Sequence, residues 1–232
     1  VFNKKGKLGL GLVKQLATYL EREKPAIVHT HLFGADFWGG RAARKARVPK
    51  IVSTKHDILF EGSLRNIVGR GMRRKFDKVI AISQATSEFL IKHEKVAVKN
   101  IKVIYNGIGA KRFYVEKPDI LKKELITIGS VGRMSKEKGH KHLIRASRFL
   151  KQKEWKLLLV GGGSLRKELE NQAKFLGLGS RVAFTGTVED VRPELAKMDV
   201  FVLPSVSEGL SLSILEAAAA GKFIIATNVG GI

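Results

Sequence analysis

Residues 200–221 read VFVLPSVSEGLSLSILEAAAAG. The apolar run Val200 to Leu203 has the length and character of a buried strand, and Pro204 cannot continue it. A tight loop then carries Glu208 and Gly209, and an alanine-rich stretch up to Gly221 reads as a helix. A buried strand followed at once by a helix is the unit of a parallel sheet covered by helices. Working outward, the unit repeats along the chain. Short β-branched runs predict strands over 26–30, 50–54, 78–82, 101–105, 125–131, 155–160, 182–184, 200–203 and 223–226. Amphipathic spacing predicts helices over 8–23, 35–46, 85–93, 140–150, 165–176 and 211–220. The alternation breaks between Gly109 and Lys123, where turn residues and charge accumulate. Two Rossmann-like α/β halves are therefore expected, residues 1–108 and 125–232, joined by a linker over 109–124.

Composition narrows the function classes. A 232-residue chain with 44% hydrophobic residues can bury a core and is not a disordered polymer. No apolar run approaches the roughly 20 residues of a membrane-spanning helix. Val1 to Leu8 carries lysines without the apolar core of a signal peptide. With no cysteine there is no disulfide framework, thiolate nucleophile or cysteine-held metal, and the default expectation is a cytoplasmic protein. The absence of an initial methionine reads as a piece of a longer chain. The net charge of +22 is uneven, with 25 Lys and Arg against 9 Asp and Glu in residues 1–118 but 18 against 12 in 119–232. Such an excess attracts anionic lipid, nucleic acid or an acidic acceptor, or is simply a lysine-rich solvated surface.

The chemistry concentrates at predicted strand ends, where ligands bind in open α/β sheets. Glu208 and Glu216 are carboxylates in otherwise apolar surroundings, and a sugar diol offers one carboxylate two donors. Between them the backbone of Gly209, Leu210, Ser211, Leu212 and Ser213 directs N–H groups outward at a helix N-terminus, a natural phosphate site. The segment VGRMSKEKG, residues 131–139, ends a strand and places Gly132, Arg133 and Lys138 at the same sheet edge. Fixed cations at a strand end can neutralise a bound anion as a metal would, and no Asp-x-Asp pair is present to hold a metal. WKLLLVGGGS, residues 155–164, is a strand and glycine turn with Ser164 as an expected N-cap. It lacks the spacing of a dinucleotide site or a P-loop. In IVHTH, residues 27–31, His29 and His31 share one strand face, which admits a metal pair, but no further His or Asp cluster completes a ligand set.

The pattern Pro-Ser-x-x-Glu-Gly-(x)6-Glu-Ala-x-x-x-Gly around Glu208 and Glu216 resembles the donor-site signature of the group 1 (GT4-like) retaining glycosyltransferases. Gly-Arg-(x)4-Lys-Gly around Arg133 and Lys138 is similar to a second motif of that family. The resemblance runs from about Ala26 to Gly231 and implies a GT-B fold, two Rossmann-like parallel-sheet domains facing a cleft, both incomplete here. It implies that Glu208 approaches the transferred sugar and Glu216 holds the ribose. Arg133 and Lys138 would stabilise the leaving diphosphate, and Gly186 and Val188 would border the nucleobase. His56, closing the STKH strand end, would lie in the cleft near the reacting sugar. The partners implied are a nucleotide-sugar donor and a glycan or lipid-linked acceptor, with no cofactor, metal or nucleic acid. The location implied is cytoplasmic, with a peripheral contact at the inner face of an anionic membrane. Rival readings are a non-catalytic anion- or nucleic-acid-binding module and another GT-B enzyme such as a nucleotide-sugar epimerase.

Overall fold

β-branched and leucine-rich runs pair as predicted for a parallel architecture. The computed structural model describes residues 10–58, 69, 71–114, 124–151 and 154–232. The start of the helix expected over 8–23, and most of the expected linker (115–123), lie outside the described residues. Among the described residues nine strands form two all-parallel sheets, and the chain divides into two compact units, Val1–Asn106 and Gly107–Gly230.

The first unit has strands β1 (Ile27–His31), β2 (Lys50–Lys55), β3 (Lys78–Ala81) and β4 (Ile101–Val103) in that spatial order. Helices α1 (Leu10–Glu23), α2 (Leu32–Lys45) and α3 (Gln84–Lys92) accompany them. Ala43, Ile51, Phe76, Val79, Ala81, Leu90 and Val96 form its core. Gly40 lets α2 pass close to Phe76, whose ring would lie 2.6 Å from an added Cβ. Ser83 caps α3, its Oγ accepting the Thr86 N–H at 3.1 Å, which satisfies a donor the helix itself leaves unpaired.

The second unit has the spatial strand order β7-β6-β5-β8-β9. These are β5 (Ile126–Val131), β6 (Trp155–Val160), β7 (Val182–Gly186), β8 (Val200–Leu203) and β9 (Phe223–Ala226). Helices α4 (His140–Ser147), α5 (Arg166–Phe175), α6 (Arg192–Lys197) and α7 (Leu212–Ala219) connect them. The chain runs outward from β5 through β6 to β7, then returns to β5's other side with β8. β5 is thus a topological switch point, where a crevice opens beyond the strand carboxyl ends. Leu157, Leu159, Ile144 and Leu169 fill one core cluster, and Phe201, Leu203, Leu195 and Met198 another. Gly129 in β5 makes room for Met198, whose Sδ would lie 2.0 Å from an added Cβ. β9 is an outer strand among the described residues, and its Phe223 and Ile225 are each 61% exposed.

Several boundaries differ from expectation. α2 begins at Leu32, directly after β1, instead of residue 35, with Leu32 itself at φ 69°. β4 stops at Val103 and leaves Ile104 and Tyr105 exposed. Ser164 does not cap α5: the helix begins at Arg166 behind Leu165, with no side-chain cap bond. α6 escapes sequence reading because six residues are too few to display a helical period, although Pro193 in its first turn is a start signal. No described helix is long and apolar enough to cross a membrane.

Candidate functional site

Three loops meet at the carboxyl edge of the second sheet, and glycines set how closely. After β5, Met134 N–H donates to Gly162 O at 2.7 Å and Leu165 N–H donates back to Met134 O at 3.1 Å, tying the β5 loop to the β6 loop. Val206 N–H donates to Glu137 O at 2.8 Å, tying the β5 loop to the β8 loop. Gly139 closes the one-turn helix Lys136–Lys138 at φ 66°, and an added Cβ would lie 1.9 Å from Pro204 O. Any side chain there separates the loops, so a glycine is required.

This framework delivers Lys138 to Glu208. The Lys138 Nζ lies 2.6 Å from Glu208 Oε1, and Ser205 Oγ donates to the same oxygen at 2.6 Å. Glu208 is 8% exposed, so its charge is neutralised by an ammonium and a hydroxyl rather than by water. The backbone beneath it is close-packed, since an added Cβ at Gly230 would fall 1.8 Å from Glu208 O. Ser205 is the serine of the Pro-Ser-x-x-Glu-Gly pattern but receives no role from sequence, although its i,i+3 spacing to Glu208 inside a turn is a usable signal.

The other anticipated residues fall into three groups. Gly132, Arg133 and Val188 line a pocket of about 370 Å³ together with Thr187 and with Gly161 and Gly162 of the glycine turn, none of which the sequence assigns to the site. Arg133 reaches outward, 72% exposed, and pairs with Glu137 at 3.3 Å. Gly186 ends β7 at φ 81° and accepts the Gly161 N–H at 2.9 Å, next to that pocket rather than among its lining residues. Ser211 is the N-cap residue of α7 without a side-chain cap bond; its Oγ pairs with Ser213 Oγ at 2.9 Å instead, so no Ser211 side chain blocks the N–H groups that follow. Leu210 is half-buried, Gly209 buried and Leu212 exposed around this helix start. Glu216 lies within α7, half-buried, and burial pushes its carboxyl above the usual carboxylate range.

His140, at the first position of α4 beside Lys138, is buried with an unpartnered Nδ1. Burial, reinforced by the Lys138 charge, lowers its pKa from 6.5 to about 4, so it is neutral at pH 7.

His56 belongs to the first unit. There the strand alternation sorts polar groups onto two faces. On one, His29 Nε2 contacts Thr54 Oγ1 at 2.8 Å and His31 Nδ1 contacts His56 Nε2 at 2.9 Å. Burial and the neighbouring His31 hold His29 and His56 below the ordinary histidine pKa. On the other face, Asp36 accepts from Thr30, from Ser53 at 2.7 Å and from Arg73 Nε at 2.9 Å. Arg73 also bonds Glu94 at 2.6 Å, and Lys55 bridges Glu94 at 3.3 Å and Asp57 at 2.8 Å. No group of three metal-ligating side chains occurs among the described residues.

Comparison with known proteins matches both units. The Glycosyltransferase Family 4 model covers residues 1–112 and the Glycosyl transferases group 1 model residues 126–232. The chain is 31% identical to the Escherichia coli UDP-Gal:alpha-D-GlcNAc-diphosphoundecaprenol alpha-1,3-galactosyltransferase, over 91% of this chain and 60% of that protein. It is also 31% identical to the Bacillus anthracis N-acetyl-alpha-D-glucosaminyl L-malate synthase, over 96% of this chain and 62% of that protein. The chain thus spans about three fifths of the length of these relatives. The crystal structure of Anabaena HepE in complex with UDP-glucose matches with a TM-score of 0.86 at 28% identity, over 100% of this chain and 67% of HepE. With both of its parallel-sheet units matched, the chain belongs to the group 1, family 4 glycosyltransferases of the GT-B fold class.

Proposed function

We propose that the chain carries the donor site of a retaining glycosyltransferase, which moves a sugar from a nucleoside-diphosphate sugar to a hydroxyl of a glycan or lipid-linked acceptor. The observation that carries this reading is the part-buried Lys138–Glu208–Ser205 cluster standing at the same sheet edge as the glycine-walled pocket of about 370 Å³. A pocket of that size suits a nucleoside. Glu208 accepts from the transferred sugar's hydroxyls, Glu216 from the ribose, and Gly186 and Val188 border the base. Arg133, Lys138 and the N–H groups from Gly209 to Leu212 gather the diphosphate, whose charge grows as the glycosidic bond breaks. Because Lys138 already pairs with Glu208, an arriving phosphate shares the ammonium and frees carboxylate lone pairs for the sugar. No residue is assigned as a nucleophile. In the first unit His56 is the residue proposed to orient the sugar, and the basic excess there favours a lipid-linked or anionic acceptor at the inner face of the cell membrane. The binding of UDP-glucose by HepE and the lipid-linked acceptor in the Escherichia coli relative's name support a role in envelope polysaccharide or lipopolysaccharide synthesis.

The test is calorimetric titration of UDP-glucose and UDP-galactose into the chain, followed by sugar transfer assayed with the whole protein. Saturable donor binding with anomeric retention in the product is the expected result. Salt-dependent binding of unrelated nucleic acids without donor binding would instead mark an anion-binding module, and an epimerised nucleotide sugar would mark an epimerase.

A further inference from the structure

The parallel pairing of β6 with β7 slips by one residue at its end. Leu159 stands opposite Phe184 but Val160 stands opposite Gly186, so Thr185 is an extra residue, a β-bulge. Bulges re-aim the chain that follows them, and the residues that follow here, Thr187 and Val188, line the pocket with Gly161 and Gly162. The bulge is held from outside the sheet. Arg166 donates through Nη2 to Phe184 O at 3.2 Å, and its Nη1 lies where a Gly186 Cβ would meet it at 2.9 Å. Its Nε is anchored by Glu170 Oε1 at 2.8 Å.

Helix energetics do not explain an arginine at this position. Arg166 is the first residue of α5, where a cation opposes the helix dipole, and a partly exposed i,i+4 ion pair to Glu170 offsets little. A guanidinium reaching two acceptors, Glu170 Oε1 and Phe184 O, in a fixed fork explains it better, because it satisfies a strand carbonyl at an irregular pairing and packs over a glycine with positive φ.

We propose that Arg166 is a positioning residue for nucleobase recognition, clamping the bulge at Phe184, Thr185 and Gly186 so that Thr187 and Val188 present a fixed wall to the base. The proposal rests on the donor-site reading, in which Gly186 and Val188 border the base. It assigns base discrimination to a residue that contacts the bulge before the wall, at Phe184 and Gly186, and does not line the pocket.

The experiment compares Arg166→Met with the unsubstituted chain by calorimetric titration of UDP, ADP and inorganic pyrophosphate. UDP affinity is expected to fall about tenfold and the UDP-over-ADP preference to narrow, while pyrophosphate affinity stays unchanged. Arg166→Lys, which supplies one donor in place of the fork, should recover only part of the UDP affinity, and it carries the same comparison if Arg166→Met fails to fold. Unchanged UDP affinity, or equal losses for UDP and pyrophosphate, would overturn the clamp. Failure of the unsubstituted chain to prefer UDP over pyrophosphate would overturn the donor-site reading beneath it, which is a distinguishable result.

Discussion

The two sheets treat charge at their carboxyl ends in opposite ways. Behind β1 and β2, Asp36, Arg73 and Glu94 are 0%, 2% and 1% exposed, and they saturate one another. Beyond β5 and β8, Glu216 is half-buried with no side-chain partner among the described residues, and His140 keeps an unpartnered ring nitrogen. Buried charges that complete each other hold shape, whereas groups left incomplete are available to a ligand. In this molecule the mutually saturated charges lie mainly in the first unit, and the incompletely partnered groups, Glu216 of the proposed donor site among them, in the second.

The division is easiest to break at Arg73. Arg73→Met leaves Asp36 and Glu94 buried without their shared cation, and should cost about 3–5 kcal/mol in urea unfolding. A stability unchanged within about 0.5 kcal/mol would mean the network is not structural, and the contrast would fall.

The next effect is a pH dependence in the second unit. The folded pKa of His140, about 4, lies below its ordinary 6.5, so the unfolded chain binds the proton first. The neutral histidine carries no penalty above pH 6.5, and stability is lost as pH falls from 6.5 to about 4, by up to about 3 kcal/mol. His140→Leu should flatten the unfolding free energy across that window. An unaltered slope would show that other groups govern acid stability.

Glu216 separates binding from folding. Its folded pKa is raised, so ionisation at pH 7 works against the fold, and Glu216→Gln should leave stability equal or slightly higher. The same substitution should weaken UDP-glucose binding by about tenfold or more, from a lost charge-assisted hydrogen bond of roughly 1.5–3 kcal/mol. Unchanged affinity would sink the ribose assignment. The smallest effect belongs to Arg133, which is exposed. Arg133→Gln should move stability by less than about 0.5 kcal/mol while reducing nucleotide affinity severalfold, a split that thermal melts and titration would resolve together.

The second sheet was the more legible because several of its strands are runs dominated by apolar residues. Trp155–Val160, Val200–Leu203 and Phe223–Ala226 begin and end where the residue types predict. Lys138 and Glu208 were each recognisable from a local motif, but not their contact, because 70 positions separate them and only the folded loops close that distance. The buried network was invisible for the same reason. Asp36 and Arg73 stand 37 positions apart, Arg73 and Glu94 21, and isolated charges in sequence read as solvated surface. The bulge at Thr185 leaves no mark in composition at all. It arises from the register between two strands, and Gly186 is its only local trace.

β9 has a consequence for handling the protein. Phe223, Ile224 and Ile225 stand exposed on a strand whose outer backbone edge has no neighbour among the described residues. Such an apolar edge is a template for strand addition by another chain. Residues 1–232 taken by themselves are therefore expected to self-associate first at this edge, which sedimentation at increasing concentration would check. A lysine in place of Ile225 is the economical gatekeeper, lying outside the residues assigned to the donor site.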